Sequence, residues 1–445
     1  MKTPICDFIE KYAQNDNLRL HMPGHKGVGG KEYKHDITEI FGADSLYEAN
    51  GIIAESEKLA ADLFGAHTFY STEGSSLSIR AMLYLVCLYA KEKAEKPLVL
   101  AGRNAHKSFV SAAALLDLDV EWLTSDVGSY LSCKISAEDV EARLDSLDTL
   151  PSAVYITSPD YLGNITDIEG IARVCHERGV LLLVDNAHGA YLAFLEESMH
   201  PIALGADMCC DSAHKTLPAL TGAAYLHVSE NAPKEFSENA KNALALFGST
   251  SPSYLILESL DRANKYLSEE FRGELKSFVD SVTWLKKALV GIGYTMIGNE
   301  PMKLTVSAKE YGYTGDEMAQ YLVGEGIIPE FSDPDFLVLM PSPMLGHEAL
   351  ERILTAFKNL KKSDRILTTP KCFSLPARAM SIRDAALSPS ESISVDDAEG
   401  RILASVTVGC PPAVPIAVCG EIIDSSAIDC FKYYGIEKCS VVKSK

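Results

Sequence analysis

Short apolar runs alternate with amphipathic stretches between about residues 54 and 230. The runs that predict strands are 98–101, 120–123, 153–157, 180–185, 206–211 and 223–228. The stretches that predict helices are 55–64, 75–90, 108–116, 137–147 and 168–178. Continuously apolar strands separated by amphipathic helices are typical of a mostly parallel sheet covered on both faces. This part of the chain is therefore predicted to be an α/β domain.

The pattern changes after residue 230. Ser251-Pro252-Ser253 opens a helical pattern that continues to about Val290, and alternation at 302–306 and 336–340 predicts strands of an α+β region. Proline and glycine become more frequent after about residue 365. We expect four parts: an N-terminal segment at 1–50, a large domain at 51–250, a linking helix with a small α+β domain at 251–365, and a C-terminal domain at 366–445.

Composition and charge narrow the class of protein. The 445 residues include 41 Lys+Arg and 61 Asp+Glu, a formal net charge of −20, which repels nucleic acid and either attracts small cations or only maintains solubility. No apolar stretch is long enough to predict a membrane span, and the N-terminus lacks the apolar core of a secretion signal. The 11 cysteines form no C-x-x-C pair, which predicts a reducing cytoplasm and no structural metal.

Two polar motifs follow predicted strands, where ligands of parallel sheets bind. Asp185 ends one apolar run, and His188 comes three residues later. A buried carboxylate is costly unless it is paired, so Asp185 is either a structural cap or the partner of a cationic ring nitrogen. Lys215 follows the next strand. A desolvated lysine is a nucleophile toward carbonyls, whereas a solvated one is an ordinary loop residue.

Two further motifs complete a candidate site. Gly74, Ser75 and Ser76 precede an apolar helix, whose first N–H groups suit a phosphate, although serine also caps many helices. His106 follows another strand and could stack on a flat ring or be structural. A reactive lysine, an acid for a ring nitrogen, a phosphate cup and a stacking ring together are what pyridoxal 5'-phosphate (PLP) requires.

Longer motifs resemble one known family. They are Leu20-His-Met-Pro-Gly-His-Lys-Gly27, Ser158-Pro-Asp-Tyr-Leu-Gly163, Asp185-Asn-Ala-His188, Ser212-Ala-His-Lys215 and Thr250-Ser-Pro-Ser-Tyr254. In this order they resemble the ornithine/lysine/arginine decarboxylase family, PLP enzymes of the aspartate-aminotransferase fold. The resemblance implies fold type I, with a three-layer αβα large domain and a smaller α+β C-terminal region, in a short form without the N-terminal wing domain.

The resemblance implies a role for each matching residue. Lys215 would bind the cofactor aldehyde, Asp185 would pair with the ring nitrogen, and His106 would stack on the ring. His188 would line the cofactor site, and His214 could donate a proton to the substrate Cα. The phosphate ligands would be Gly74, Ser75, Ser76 and Ser212, with Ser251 reaching the phosphate of an adjacent subunit. The active unit would be a homodimer with shared sites, or a higher oligomer.

Some residues depart from the family pattern. Glu73 stands where asparagine is frequent, and a carboxylate near a phosphate is unfavourable unless it points away or is paired. Gly222 stands where glutamine is expected. In the late block, Cys410 and Ala413 replace tyrosine and glycine, and Cys419 replaces a proline. These late changes concern the substrate pocket more than the cofactor site.

The expected reaction is α-decarboxylation of arginine, lysine or ornithine to an amine and CO2, as in polyamine metabolism. Glu330 and Asp333 are the candidates for binding the distal cation of the substrate, or else belong to an exposed loop. Two alternatives stay open, since a fold does not fix a reaction. One is an aminotransferase or lyase, in which Arg378 or Arg383 would bind the α-carboxylate. The other is a catalytically inactive paralogue.

Overall fold

The computed structural model describes residues 1–93, 95–124, 130, 133–370, 374–406 and 414–444. The helices are α1 Pro4–Gln14, α2 Lys31–His35, α3 Ile52–Phe64, α4 Gly74–Glu92, α5 Lys107–Leu116, α6 Ala137–Ser146, α7 Ile168–Glu177, α8 Ala213–Thr216, α9 Lys234–Phe247, α10 Tyr254–Glu269, α11 Phe271–Gly291, α12 Gly315–Gly324, α13 Gly346–Asn359, α14 Ile382–Leu387 and α15 Ser425–Tyr433. Within those ranges, no helix combines the length and apolarity needed to cross a bilayer.

The strands are β1 His67–Ser71, β2 Leu98–Gly102, β3 Asp119–Leu123, β4 Ala153–Thr157, β5 Leu181–Asp185, β6 Met208–Asp211, β7 Ala224–Val228, β8 Thr295–Ile297, β9 Leu304–Ser307, β10 Phe331–Ser332, β11 Phe336–Leu339, β12 Ser390–Ser394 and β13 Lys438–Val442. The main sheet has seven strands in the order β1-β7-β6-β5-β4-β2-β3. It is mostly parallel, but β7 is antiparallel to both β6 and β1. Smaller antiparallel sheets join β10-β11-β9-β8 and β12-β13. The predicted α/β class is confirmed.

Two elements differ from the sequence-based prediction. Strand β1 was not predicted, because it contains both exposed and buried residues and forms no continuous apolar run. The single long helix expected up to about Val290 is two helices, α10 and α11, which meet at Glu270. The apolar periodicity continues across that residue, so periodicity alone did not reveal the break. The predicted division into four parts stays a prediction.

The chain divides into two compact units. The first comprises residues 1–96, 152–154 and 168–275. Strands β5, β6 and β7 are buried along their whole length in this unit. The N-terminal helix α1 is anchored by Asp261 of α10, whose Oδ2 accepts hydrogen bonds from the backbone N–H groups of Ile5 and Cys6, both at 3.0 Å. A buried carboxylate thus satisfies helix-start N–H groups that would otherwise lack partners.

The second unit comprises residues 97–151, 155–167 and 276–445. It contains a buried ion pair between Arg103, just after β2, and Glu421 of the C-terminal region. Arg103 Nη1 lies 2.5 Å from Glu421 Oε1, and Nη2 lies 2.7 Å from Oε2. Glu421 Oε2 also accepts the backbone N–H of Val418 at 2.7 Å. This bidentate pair ties two distant stretches of the second unit together.

Loss of either partner of this pair should be strongly destabilising, because the other charge would stay buried and unpaired. We expect Arg103→Ala to lower the free energy of unfolding by about 3–5 kcal/mol. Urea unfolding of the two proteins measures the difference. The matched control is Arg365→Ala, since Arg365 pairs with Glu310 at 2.5 Å but its side chain is 60% exposed. That change should cost less than about 1 kcal/mol. Equal losses for both variants would contradict the prediction.

Candidate active site

The reactive lysine predicted from sequence lies next to a predicted site histidine. Strand β6 ends at Asp211, Ser212 follows, and Lys215 lies in the short helix α8. Lys215 Nζ is 3.1 Å from His188 Nε2, in the turn that follows β5. A lysine ammonium only donates hydrogen bonds, so His188 Nε2 accepts whenever the lysine is charged. Lys215 is exposed, so the desolvated lysine considered from the sequence is not provided by this chain alone.

Asp185 is held at the end of β5 and is only 3% exposed. Its Oδ1 accepts the backbone N–H of Ala187 at 3.2 Å and the thiol of Cys210 at 3.6 Å. Burial and then the neighbouring Asp185 raise the pKa of the Cys210 thiol well above its ordinary value, so the thiol keeps its hydrogen and donates it. The parallel register pairs Asp185 with Cys210, which explains why the two side chains meet.

The predicted phosphate cup lies at the start of α4. This helix has 19 residues, and Glu73, which precedes it, does not cap its first turn with its side chain. Ser212 Oγ donates to Ser75 Oγ at 2.8 Å, so the residues following β6 and those opening α4 lie at one site. Gly74 has a φ of +70°, and a Cβ there would lie 4.0 Å from His214 Cε1, which among the described residues is its one neighbour within that distance. The side of Gly74 at this positive helix end is therefore open, as an anion requires.

The surroundings of Gly222 explain why glycine stands where the family pattern has glutamine. Its carbonyl accepts the backbone N–H of Gly74 at 2.8 Å. Its φ is +97°, and a Cβ would lie 2.9 Å from the carbonyl oxygen of Thr72. A glutamine at this position would be strained and would collide with the backbone. Glycine here allows the loop before β7 to fix the start of α4.

The contacts of Glu73 explain how a second departure from the family pattern is accommodated. Its Oε1 accepts the backbone N–H of Ser249 at 2.5 Å, so the carboxylate is paired with the loop after α9. The same loop carries Ser251, which is exposed and donates its backbone N–H to Ser249 Oγ at 3.1 Å. The unfavourable carboxylate considered from the sequence is therefore paired. That Ser251 reaches a phosphate of another subunit stays a prediction.

The orientation of His214 is fixed by the backbone. Its Nδ1 is 2.9 Å from the carbonyl oxygen of Ala223, and the imidazole is half-buried. A carbonyl only accepts, so Nδ1 carries a hydrogen and any further proton resides on Nε2. This leaves Nε2 as the atom of His214 that could exchange a proton with a ligand.

The remaining predicted site residues belong to the second unit. His106 precedes α5, and its Nδ1 accepts the backbone N–H of Ser108 at 3.2 Å. Glu330 is exposed and accepts the hydroxyl of Tyr161 at 3.1 Å. Asp333 is buried and caps a turn, accepting the N–H groups of Asp335 and Phe336, and burial raises its pKa to about 6. Their roles toward cofactor and substrate stay predictions.

The C-terminal residues named from the sequence have mainly structural contacts. Arg378 donates to the carbonyls of Val120 and Met380, and Arg383 donates to those of Ala114 and Leu115. The buried thiol of Cys419 donates to the carbonyl of Ala404 at 3.1 Å. Cys410 and Ala413 lie outside the described residues.

Sequence reasoning missed a buried polar cluster behind the site. His200, Cys209 and Asp211 place potential metal-ligand atoms within 4.8 Å of one another in the described part of the chain. The sequence analysis predicted no structural metal from ligand spacing. The closeness of these side chains depends on the packing of a loop against β6, which spacing along the chain does not reveal.

The amine of Lys215, the buried carboxylate of Asp185 and the first turn of α4 lie around the ends of β5 and β6. This donor set fits PLP, and together with the fold it defines the class of fold type I PLP enzymes. The chain belongs to the Orn/Lys/Arg decarboxylase family. The major domain of the family matches residues 3–298, and its C-terminal domain matches residues 362–438.

Individual relatives agree with this assignment. The chain is 29% identical to arginine decarboxylase of Halalkalibacterium halodurans, over 96% of this chain and 92% of that protein. It is 28% identical to arginine decarboxylase of Bacillus subtilis, with the same shares covered. The crystal structure of Francisella novicida lysine decarboxylase LdcF has the same fold, with a TM-score of 0.81 at 16% identity over 99% of this chain and 81% of that one.

Proposed function

We propose that this protein is a PLP-dependent decarboxylase of a basic amino acid, with arginine as the first candidate substrate. The observation that carries the proposal is the junction of α4 with the residues after β6. There, Ser212 binds Ser75 while Lys215 lies beside His188. One site thereby offers both an amine for the cofactor aldehyde and a cup for its phosphate. Arginine comes first because relatives with that activity match nearly the whole chain.

When bound, PLP supplies an electron-accepting ring that weakens the bonds at the substrate Cα. Lys215 would hold the cofactor until the substrate amine replaces it, and Asp185 would keep a proton on the ring nitrogen. Ser75 and Ser76 in the first turn of α4, together with Ser212, would bind the phosphate, and Gly74 would leave space for it, because its own N–H is donated to Gly222. His106 would cover the ring, and His214 Nε2 would deliver the proton that replaces CO2 at Cα.

The positive charge of a basic amino acid is opposite in sign to the net charge of the protein. A formal net charge of −20 attracts a cationic amino acid over long distances. We propose that exposed Glu330, fixed by the hydroxyl of Tyr161, binds the distal cation, and that Asp333 takes part by holding the turn between β10 and β11. The amine product would then enter polyamine-type metabolism.

We also propose a homodimer that works in the cytoplasm. Large apolar side chains near the N-terminus are strongly exposed, including Leu18 at 84%, Leu20 at 82% and Phe41 at 105%. A contiguous patch of exposed apolar side chains is typical of a protein interface, and we propose that these three residues contribute to one. Cys87, Cys175, Cys209 and Cys210 are buried thiols in no disulfide, which fits a reducing compartment.

The test is to incubate purified protein and PLP with arginine, lysine or ornithine, and to measure released CO2 and the amine product. We expect CO2 and agmatine in equal amounts from arginine, and nothing without PLP. Pyridoxamine phosphate and a keto acid without CO2 would contradict decarboxylation and indicate transamination. Sedimentation of the same preparation tests the dimer, and a monomer at assay concentrations would exclude it.

A further inference from the structure

A buried carboxylate at the end of β6 collects hydrogen bonds from two histidines. Asp211 Oδ2 lies 3.1 Å from His200 Nε2 and 3.3 Å from His227 Nε2. All three side chains are at most 1% exposed. In the antiparallel register, His227 lies opposite Cys209. Asp211 comes two residues after Cys209 on the same strand, so the side chains of His227 and Asp211 project from the same face of the sheet.

The other oxygen of this carboxylate binds the turn that carries Asp185. Asn186 donates its Nδ2 hydrogen to Asp211 Oδ1 at 2.6 Å, and its backbone N–H donates to the carbonyl of Cys210 at 3.0 Å. The next residue, Ala187, donates its N–H to Asp185 Oδ1. The turn after β5 is therefore tied to the end of β6 through both the side chain and the backbone of Asn186.

The charges of this cluster favour a fixed arrangement. Burial alone would raise the pKa of the Asp211 carboxyl, but His200 and His227 outweigh it and hold the pKa well below its usual range. The second ring nitrogen of His227 also has a partner, since Nδ1 lies 2.9 Å from Thr68 Oγ1. A buried carboxylate with three donors from different elements is held in one orientation.

We propose that Asp211, oriented by His200 and His227, is a positioning residue that fixes the Asp185–Asn186 turn and the start of the Ser212–Lys215 segment for cofactor binding. The inference rests on the proposed function, because it concerns how PLP is held. Asp211 adjoins Ser212 in the chain and binds the residue that follows Asp185, so it links two proposed cofactor contacts. It would not touch the cofactor itself.

The test compares two aspartate-to-asparagine variants at opposite ends of β6. Asp211→Asn puts an NH2 group where an oxygen now accepts donors. The control is Asp207→Asn, since buried Asp207 likewise accepts a histidine, His176 Nε2 at 3.0 Å, and a second donor, the N–H of Leu182 at 2.7 Å. Both variants should lower the thermal midpoint. Only Asp211→Asn should weaken PLP binding, by at least about tenfold in Kd, as expected for a lost charge-assisted hydrogen bond.

A second pair of variants tests the same inference if Asp211→Asn does not fold. His227→Gln keeps an N–H donor near the position of Nε2 and should bind PLP nearly as the parent does, whereas His227→Leu should bind it more weakly. PLP affinity is read from the visible absorbance of the bound cofactor, independently of turnover.

The outcomes separate the inference from the proposed function. Equal PLP affinity for Asp211→Asn and Asp207→Asn, or for the two His227 variants, would overturn the positioning role. Failure of the parent protein to bind PLP would instead refute the proposed function. One zinc ion per chain, measured by mass spectrometry of the purified protein, would also overturn the inference. The cluster, with Cys209 Sγ 3.9 Å from His200 Nε2, would then be a metal site.

Discussion

Lys215→Ala is expected to abolish decarboxylation and to remove the visible absorbance of the bound cofactor. The ε-amino group is the one that would capture the aldehyde, and alanine leaves no amine in its place. Removing a covalent catalytic group costs on the order of 10⁴-fold or more in kcat. Release of labelled CO2 from carboxyl-labelled arginine measures the rate, and an absorbance spectrum taken after dialysis against PLP measures the cofactor.

The matched control for this change is Lys234→Ala. Lys234 is in the same compact unit, but its side chain is 83% exposed and pairs with Glu238 one helical turn away. We expect this variant to match the parent in both rate and spectrum. A Lys215→Ala protein with more than a tenth of the parent rate would contradict the assignment of Lys215. A parent that binds PLP but releases no CO2 from any basic amino acid would favour the inactive-paralogue alternative.

Sequence patterns predicted the buried strands well and the exposed or broken elements poorly. Strands β4 and β5 are almost wholly buried, so their apolar runs identify them directly. Strand β1 carries His67 and Thr68 and is only partly buried, so its sequence gives a weak apolar pattern. It forms a strand because it pairs with β7, which its own sequence does not reveal. The boundary at Glu270 was missed for a related reason: the apolar periodicity is continuous there, so it does not reveal that one helix ends and another begins.

The candidate site was predicted to the extent that it depends on position along the chain. Asp185 ends one strand and Lys215 follows the next, so the rule that ligands bind beyond strand ends selects both, whereas the role of Ser212 came from the family resemblance. The pairing of Asn186 with Asp211 depends on the register between two strands, which a single sequence does not determine. The same is true of Gly222, whose need for glycine comes from the close carbonyl of Thr72.

Asp185→Asn tests the electronic part of the proposal, and it should separate cofactor binding from turnover. Asparagine has nearly the same shape and can still accept the N–H of Ala187, so the turn after β5 should persist. It carries no negative charge to hold a proton on the ring nitrogen. We expect PLP to bind through Lys215 and the start of α4, while kcat at saturating PLP falls by about 10²–10³-fold, the size of effect of losing one electrostatic contact in a catalytic site.

The measurement is the rate of CO2 release at several PLP concentrations, so that weaker binding and slower chemistry are distinguished. Asp207→Asn is again the matched control, because Asp207 is also buried and binds β5 through the N–H of Leu182, but at the opposite end of the strands. Its kcat should be unchanged. If added PLP restored Asp185→Asn to the parent rate, the carboxylate would serve only to hold the cofactor, and the proposed protonation of the ring nitrogen by Asp185 would be wrong. If kcat stays low at every PLP concentration while the visible absorbance is retained, the negative charge at residue 185 acts in the chemical step itself.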